Sequence, residues 1–114
     1  MKDEVSFADF ARLDLRIGEI TAAKEVDGSG KLVELVVSFG GFSRTVYAGI
    51  KKWYLPEVLV GRKLIFVVNL PAKKFTIGER ECVSEGMLLA ADGAEGEAVL
   101  YSFDKDVSLG ATIR

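Results

Sequence analysis

The chain of 114 residues contains no histidine and only one cysteine, Cys82. Without histidine the sequence has neither a Ser-His nor a Cys-His pair for nucleophilic catalysis. A structural zinc site requires about four cysteine or histidine ligands, which this composition does not supply. We therefore predict a protein that is not an enzyme and that needs no metal or other cofactor. Cys82 is interpreted as a bystander thiol in a polar loop.

Long hydrophobic runs are also missing from the sequence. No apolar segment approaches the roughly 20 residues that a membrane-spanning helix needs, and the first four residues, Met-Lys-Asp-Glu, do not resemble a secretory signal. One cysteine allows no intrachain disulfide, which is typical of a cytoplasmic protein. With no repeat or linker, residues 1–114 are predicted to form a single cytoplasmic domain that does not enter a membrane.

The charges are unevenly distributed along the chain. Residues 44–80 contain eight basic and two acidic residues, whereas the remainder contains seven basic and fifteen acidic residues. The net charge of the whole chain is −2. A basic surface on an acidic body favours a selective polyanion binder, because the local field steers the ligand. The basic residues of the segment are Arg44, Lys51, Lys52, Arg62, Lys63, Lys73, Lys74 and Arg80.

Apolar residues alternate with polar ones in several short segments, as in half-buried strands. A first strand carries Leu15 and Ile17, and its phase slips at Gly18, which predicts a bulge or a bend. Segments 31–39 and 43–48 are predicted to form a hairpin connected by two glycines. The apolar segment 64–68 is predicted to be a buried strand, which Pro71 ends.

The remaining segments predict little helix. Ser6 is a suitable N-cap for a short helix whose Phe7 and Phe10 are interpreted as packing on the barrel. Residues 56–59 predict one helical turn, and the preceding Trp53 and Tyr54 are interpreted as core residues. The polar segment 73–81 is predicted to be an exposed loop. Residues 86–91 and 99–103 predict further strands.

Seven or so short strands with glycine-rich turns predict a small β-barrel or sandwich. A bent first strand, a hairpin and a short helix before the fourth strand are typical of an OB-fold. Periodicity alone leaves the OB-fold, the SH3-like barrel and the sandwich open.

Several motifs resemble a known family. Phe10 together with the segment Leu-Asp-Leu-Arg-Ile-Gly at 13–18 resembles the opening of the tRNA-binding OB-fold domain. That domain is appended to some methionyl- and tyrosyl-tRNA synthetases and also occurs as free-standing dimeric proteins and in CsaA. The chain departs from the family in lacking a His-Pro turn and in a longer loop at 76–83. The similar motifs are Ala48-Gly49-Ile50, Tyr54-x-Pro56-Glu57, Gly61-Arg62-Lys63, Val68-Asn69-Leu70-Pro71, Lys73-Lys74 and Ser84-x-Gly86-Met87.

The resemblance implies an all-β, OB-fold, five-stranded Greek-key barrel with a short N-terminal helix, a short helix between strands 3 and 4, and extra C-terminal strands. It implies a non-catalytic module that selects tRNA by structure, free-standing or acting in trans with an aminoacyl-tRNA synthetase. It also implies a homodimer, formed through the N-terminal helix or the tail at 99–113. Two alternatives are a CsaA-like chaperone or export factor that binds unfolded polypeptide, and a protein-interaction module that docks on a synthetase.

The candidate RNA-binding residues lie mainly around the predicted loop. Lys73 and Lys74 follow Pro71 at a strand end and are expected to contact phosphates, and Phe75 could stack on a base. In OB-folds nucleic acid crosses strands two and three, where Arg44 and Lys31 are expected. Ser84 and Met87 enter through the resemblance alone. The other cationic candidates are Arg80, Lys51 and Lys52.

Overall fold

The computed structural model describes residues 1–114 and contains nine strands and two short helices. Neither helix is long and apolar enough to cross a membrane. The elements, in chain order, are α1 (Phe7–Ala11), β1 (Leu15–Glu25), β2 (Val33–Ser38), β3 (Ser43–Ala48), α2 (Pro56–Leu59), β4 (Lys63–Val67), β5 (Lys73–Ile77), β6 (Arg80–Ser84), β7 (Met87–Leu88), β8 (Ala91–Asp92) and β9 (Ala98–Val99).

Five strands form one antiparallel sheet in the order β3-β2-β1-β4-β7. The sheet curls into a nearly closed barrel, and residues 84–86 connect its free edge at β3 to β7. There the Glu85 N–H donates to the Thr45 carbonyl oxygen at 2.8 Å, and the Thr45 N–H donates to the Glu85 carboxylate at 2.9 Å. The predicted all-β, five-stranded OB-fold barrel with its two short helices is confirmed.

The core follows from the alternation of side chains along the strands. In β2, Val33, Leu35 and Val37 are fully buried, whereas the residues between them are half-buried. They pack with Phe66 of β4 and with Leu59, the single buried residue of α2. Burying one such side chain contributes about 1.5–3 kcal/mol. The one-turn helix α2 is confirmed and places Leu59 in the core.

Gly18 has a different role from the one predicted. The pairing of β1 with β2 shifts register between Ile20 and Ala22, whereas Gly18 pairs with Leu64 of β4 in unbroken register. A Cβ atom at Gly18 would overlap Val37 Cγ1 and would lie 2.7 Å from Phe39 Cε1. The bulge predicted at Gly18 lies instead between Ile20 and Ala22. Glycine at position 18 leaves the space that Val37 and Phe39 occupy.

The segment 73–81 is mostly exposed, as predicted, but the prediction of a loop is wrong, because these residues belong to the hairpin β5–β6. The turn contains Gly78 in a left-handed conformation with φ +62°, and Phe75 pairs with Cys82 across the two strands. Cys82 is buried rather than exposed. Only alternate positions of this hairpin face the barrel, so its mean composition is polar although one face packs.

The first helix is capped as predicted, since the Asp9 N–H donates to Ser6 Oγ at 3.0 Å. However, none of its residues is buried, and the side chains of Phe7 and Phe10 are 83% and 47% exposed. The interpretation that they pack on the barrel is wrong. Three residues separate α1 from β1, and the helix contributes no side chain to the core.

Asn69 connects the chain that follows the first helix to the barrel. Its Oδ1 accepts the Asp14 N–H at 2.8 Å, and its Nδ2 donates to the Arg12 carbonyl oxygen at 2.7 Å. The amide thus satisfies main-chain groups of a segment that is far away in sequence. This gives a structural reason for asparagine in the Val-Asn-Leu-Pro motif.

The C-terminal segment is less regular than predicted. The strands expected at 86–91 and 99–103 are reduced to β7 and β9, which have two residues each. A side chain takes the place of a neighbouring strand here, since the Leu100 N–H donates to Tyr54 Oη at 3.0 Å. The interpretation of Tyr54 as a core residue is supported by its packing against the core cluster. For Trp53 the same interpretation is wrong, because its side chain is 44% exposed.

Candidate nucleic-acid interface

The hairpin β5–β6 lies across the free edge of the barrel. The Phe75 ring contacts the Tyr47 ring of β3 edge to face, with ring centres 5.1 Å apart and planes at 86°. At the other end of the hairpin, Arg80 Nη2 donates to the Asp27 carbonyl oxygen at 2.9 Å. The hairpin is therefore held at both ends, by β3 and by the turn between β1 and β2.

The two faces of this hairpin present different residues. Side chains alternate along a strand, and Lys73 pairs with Ser84 and Phe75 with Cys82 on the face towards the barrel. Lys74 pairs with Val83 on the opposite face, where both side chains are exposed. Lys73 and Lys74, which were predicted to act as one basic loop, therefore lie on opposite faces.

A cavity of about 410 Å³ separates the hairpin from the barrel, and we call it the hairpin groove. Two lysines, two aromatic rings and several aliphatic side chains form its walls, and no aspartate or glutamate does. It contains four of the nine predicted site residues, Lys73, Phe75, Ser84 and Met87. The full lining is Lys31, Leu32, Tyr47, Leu70, Pro71, Lys73, Phe75, Ser84, Gly86 and Met87.

The two lysines of the groove are exposed, and neither takes part in an ion pair. Lys31 follows the turn between β1 and β2, and Lys73 begins β5 directly after the Pro71-Ala72 connection. Two unneutralised ammonium groups on one concave surface produce a local positive field, although the whole chain is acidic. The groove therefore has the electrostatics of an anion-binding surface.

The hydroxyl of Ser84 is used to close the barrel. The residue is buried, its Oγ accepts the Tyr47 N–H at 3.0 Å, and it donates to the Gly86 carbonyl oxygen at 3.3 Å. A Cβ atom at Gly86 would come within 3.2 Å of the Val67 carbonyl oxygen. The Ser-x-Gly part of the motif thus fixes the backbone that presents Met87, whose side chain is 48% exposed, to the groove.

The structure places the other five predicted residues outside the groove. Arg44 lies over the Phe42 ring at 5.2 Å and donates to the Glu85 carbonyl oxygen at 3.3 Å. Lys51 Nζ donates to the Ser29 carbonyl oxygen at 2.9 Å. Lys52, Lys74 and Arg80 are exposed elsewhere on the surface. The nine candidates therefore do not form a single patch.

Sequence reasoning missed Tyr47 and Leu70 as groove residues. Burial first, and then hydrogen bonding to Glu34, raises the pKa of the Tyr47 phenol, which donates to Glu34 Oε2 at 2.7 Å. Glu34 Oε1 also lies 3.6 Å from Lys24 Nζ. The Glu34 carboxylate of β2 is thus paired within the chain. The period-2 pattern of β3 could have indicated that Tyr47 points out of the core.

Comparison with known proteins identifies the family of the chain. Residues 15–112 match the family model described as "Putative tRNA binding domain". Methionine–tRNA ligase of Deinococcus radiodurans is 43% identical over 110 residues, which cover 96% of this chain but 16% of the ligase. The chain thus spans about one sixth of that enzyme.

Solved structures extend the similarity to proteins of the same size. A MetRS-related protein from Pyrococcus horikoshii superimposes with a TM-score of 0.87 and 34% identity, covering 99% of this chain and 100% of the other. The chaperone CsaA from Bacillus anthracis superimposes with a TM-score of 0.85 and 32% identity, covering 98% and 100%. The similarity therefore includes chains that consist of this domain alone.

Proposed function

The chain belongs to the tRNA-binding domain family, whose domain is a non-catalytic binding module, and from this premise we propose that it binds tRNA in the cytoplasm through the hairpin groove and is itself not an enzyme. The observation that carries the proposal is the pair of unneutralised lysines, Lys31 and Lys73, in a groove without carboxylates. Such a surface suits a phosphate backbone better than a neutral ligand.

Phosphate contacts explain selection by shape. Lys31 and Lys73 would neutralise phosphates and release counterions, which gives affinity but carries little sequence information. Lys74 lies on the outer face of the hairpin, and Arg80 begins β6 next to the hairpin turn. Both would contact a second part of a folded RNA. A rigid arrangement of such contacts discriminates RNA shapes rather than base sequences.

A salt titration tests this proposal. Total tRNA is titrated into labelled protein at several salt concentrations, with wild type beside the double variant Lys73→Glu/Lys74→Glu. The control with the same change of formal charge is Lys63→Glu/Lys105→Glu, which reverses two lysines in the depression lined by residues 61–63 and 101–107. We expect a steep salt slope for wild type and the control, and weak binding with a flatter slope for the double variant. Absence of binding by wild type at low salt would refute the proposal.

Capture of unfolded polypeptide is a second candidate function. The side chains of Leu70 and Met87 are 40% and 48% exposed in the groove, although both are apolar. The similarity to the chaperone CsaA agrees with an apolar groove that accepts a peptide. Binding of a reduced, unfolded protein would depend little on salt, so the same titration with such a probe separates the two functions.

The similarity to methionine–tRNA ligase also supports action in trans with a synthetase. In that arrangement the chain would supply tRNA affinity to an enzyme that lacks this domain. Adding the purified chain to such an enzyme should lower the tRNA concentration needed for half-maximal aminoacylation. An unchanged tRNA dependence would limit the chain to binding tRNA by itself, or to docking without an effect on tRNA.

We further propose a homodimer formed through the N-terminal segment. Val5, Phe7, Phe10 and Leu13 are exposed apolar residues within nine positions, and α1 has no buried residue. Pairing would bury these side chains and present two grooves to one RNA. Sedimentation of Phe7→Glu should show monomers, whereas Val58→Glu, a control on α2, should keep the dimer. A monomeric wild type would refute this assembly.

A further inference from the structure

We propose that the hairpin groove holds an unpaired nucleotide of the bound RNA, with its base against the Phe75 ring and its flanking phosphates at Lys31 and Lys73. This inference rests on the proposed function and specifies which part of an RNA the groove accepts.

The first observation is that the groove continues past Phe75. A second depression, of about 610 Å³, lies between the turn at 28–32 and the hairpin tip at 75–78. It shares Lys31, Leu32 and Phe75 with the hairpin groove. Phe75 therefore borders both depressions, and no aspartate or glutamate lines either of them, whereas a third depression at Phe75 contains Glu81. A strand of several nucleotides can follow such a path.

The second observation concerns the orientation of the Phe75 ring. Its contact with Tyr47 is edge to face, with the planes at 86°. Tyr47 can therefore cover at most one face of the Phe75 ring. Phe75 also borders the second depression, whose lining does not include Tyr47, so part of the Phe75 side chain is open to that depression. A half-buried ring in a fixed orientation is a suitable stacking platform, since little conformational freedom is lost when a base binds.

The chemistry of the lining favours an unpaired base over a duplex. Bases in a duplex are covered by their neighbours, whereas an unpaired base offers its faces to an aromatic ring. The groove has no Arg, Asn, Gln, Asp or Glu that could read a base edge, and the Ser84 hydroxyl already bonds two main-chain groups. The lysines provide charge without a fixed hydrogen-bonding geometry. Recognition here therefore requires an accessible base but tolerates any base identity.

A stacking probe tests the inference directly. A short single-stranded RNA with one 2-aminopurine is titrated into the full chain, beside the same RNA annealed to its complement. Stacking on Phe75 should quench 2-aminopurine fluorescence, and the single strand should bind at least about tenfold more tightly than the duplex. Equal affinity for the duplex, or binding of the single strand without quenching, would overturn the inference.

Variants at Phe75 locate the stacking site. Phe75→Leu keeps an apolar side chain without a ring, and we expect about a tenfold loss of single-strand affinity together with loss of quenching. Phe75→Trp should retain both. The matched control is Phe103→Leu, which removes a ring that contacts Tyr101 edge to face outside the groove. If Phe75→Leu binds and quenches like wild type, the site is not here.

The two proposals fail in different ways. If wild type does not bind tRNA at all, the proposed function fails and this inference fails with it. If tRNA binding persists and is sensitive to Lys73, but Phe75→Leu changes neither affinity nor quenching, only the inference of an unpaired nucleotide at Phe75 fails. The wild-type fluorescence experiment needs no variant, so a folding defect in Phe75→Leu does not remove the test.

Discussion

The hairpin groove and a second concave surface both contain lysines, but they differ in what surrounds those lysines. The hairpin groove contains Lys31 and Lys73 without a carboxylate. The second surface, which we call the C-terminal depression, has a volume of about 360 Å³ and is lined by residues 61–63 and 101–107. There Lys63 Nζ donates to Asp106 Oδ1 at 2.7 Å and to the Val107 carbonyl oxygen at 2.8 Å. Its positive charge is satisfied within the chain.

The comparison shows that cations close in sequence can be very unequal as ligand sites. The basic segment 44–80 predicts a single basic surface, but in the structure Arg62 and Lys63 line the C-terminal depression. Arg62 Nη2 donates to the Tyr101 carbonyl oxygen at 3.3 Å, and Lys51 is bonded to a turn. A cation that already has internal acceptors gains less from a phosphate than an unpaired one. Counting charges along the chain therefore overestimates the anion-binding surface.

The largest expected effect comes from reversing the cations of one surface at a time. Lys31→Glu/Lys73→Glu should weaken tRNA binding about a hundredfold, or ~2.8 kcal/mol, and should reduce the salt slope by about two. Lys63→Glu/Lys105→Glu changes the same formal charge in the C-terminal depression and should leave the affinity within about threefold. Filter binding at several salt concentrations measures both, with circular dichroism to confirm folding. Equal losses of tRNA affinity in the two double variants would contradict the assignment of RNA binding to the hairpin groove.

Ser84→Ala tests the wall of the hairpin groove separately from its lysines, because it changes no charge. The Tyr47 N–H would lose its acceptor in a buried position, which costs about 1–3 kcal/mol of unfolding free energy. We expect any loss of tRNA affinity to result from this loss of stability in the groove wall, and not from a lost contact between the hydroxyl and RNA. Urea unfolding and tRNA titration are measured on the same variant. A fall in affinity with unchanged stability would show that the hydroxyl contacts RNA directly.

Tyr101→Phe is the corresponding change beside the C-terminal depression. Tyr101 Oη accepts the Ile65 N–H at 2.9 Å and donates to the Leu89 carbonyl oxygen at 2.8 Å. Removing the hydroxyl should cost about 1–2 kcal/mol of stability and leave tRNA affinity unchanged. Urea unfolding gives the first value and filter binding the second. A matching loss of affinity would mean that this side of the barrel also belongs to the RNA surface.

The smallest expected effect is the pH dependence of the Lys63–Asp106 pair. Hydrogen bonding to Lys63, together with its charge, lowers the pKa of Asp106 from its ordinary value of 3.8. The stabilisation is therefore present above that value and is lost as the pH falls through the lowered pKa of the folded state. The stability difference between wild type and Asp106→Asn should disappear over this range. A constant difference down to the lowest accessible pH would contradict the assignment.

The strands that could be predicted from the sequence are those whose buried positions are all apolar. Alternation of valine and leucine predicted β2, and an apolar segment that ends before Pro71 predicted β4. The hairpin β5–β6 was missed because Lys73 and Thr76 make the segment polar on average, although Phe75 and Cys82 face the barrel. Exposure of Phe7 could not be predicted, since it depends on where a short helix points.

The candidate site was predictable only in part. Lys73 and Phe75 follow from the basic and aromatic composition after Pro71, and Ser84 and Met87 from the resemblance to the family. The separation of Lys73 from Lys74 requires the strand register, which a segment interpreted as a loop does not have. Tyr47 and Leu70 belong to the groove through contacts between segments that are distant in sequence, which no local pattern specifies.

Residues 84–86 close the barrel and at the same time form one wall of the groove. Occupancy of the groove by the proposed RNA would consequently be linked to closure of the barrel, because a ligand that requires the formed wall binds the closed state preferentially. Bound RNA would stabilise the contact of residues 84–86 with β3. Resistance of the closed barrel to proteases would therefore rise with the concentration of such a ligand.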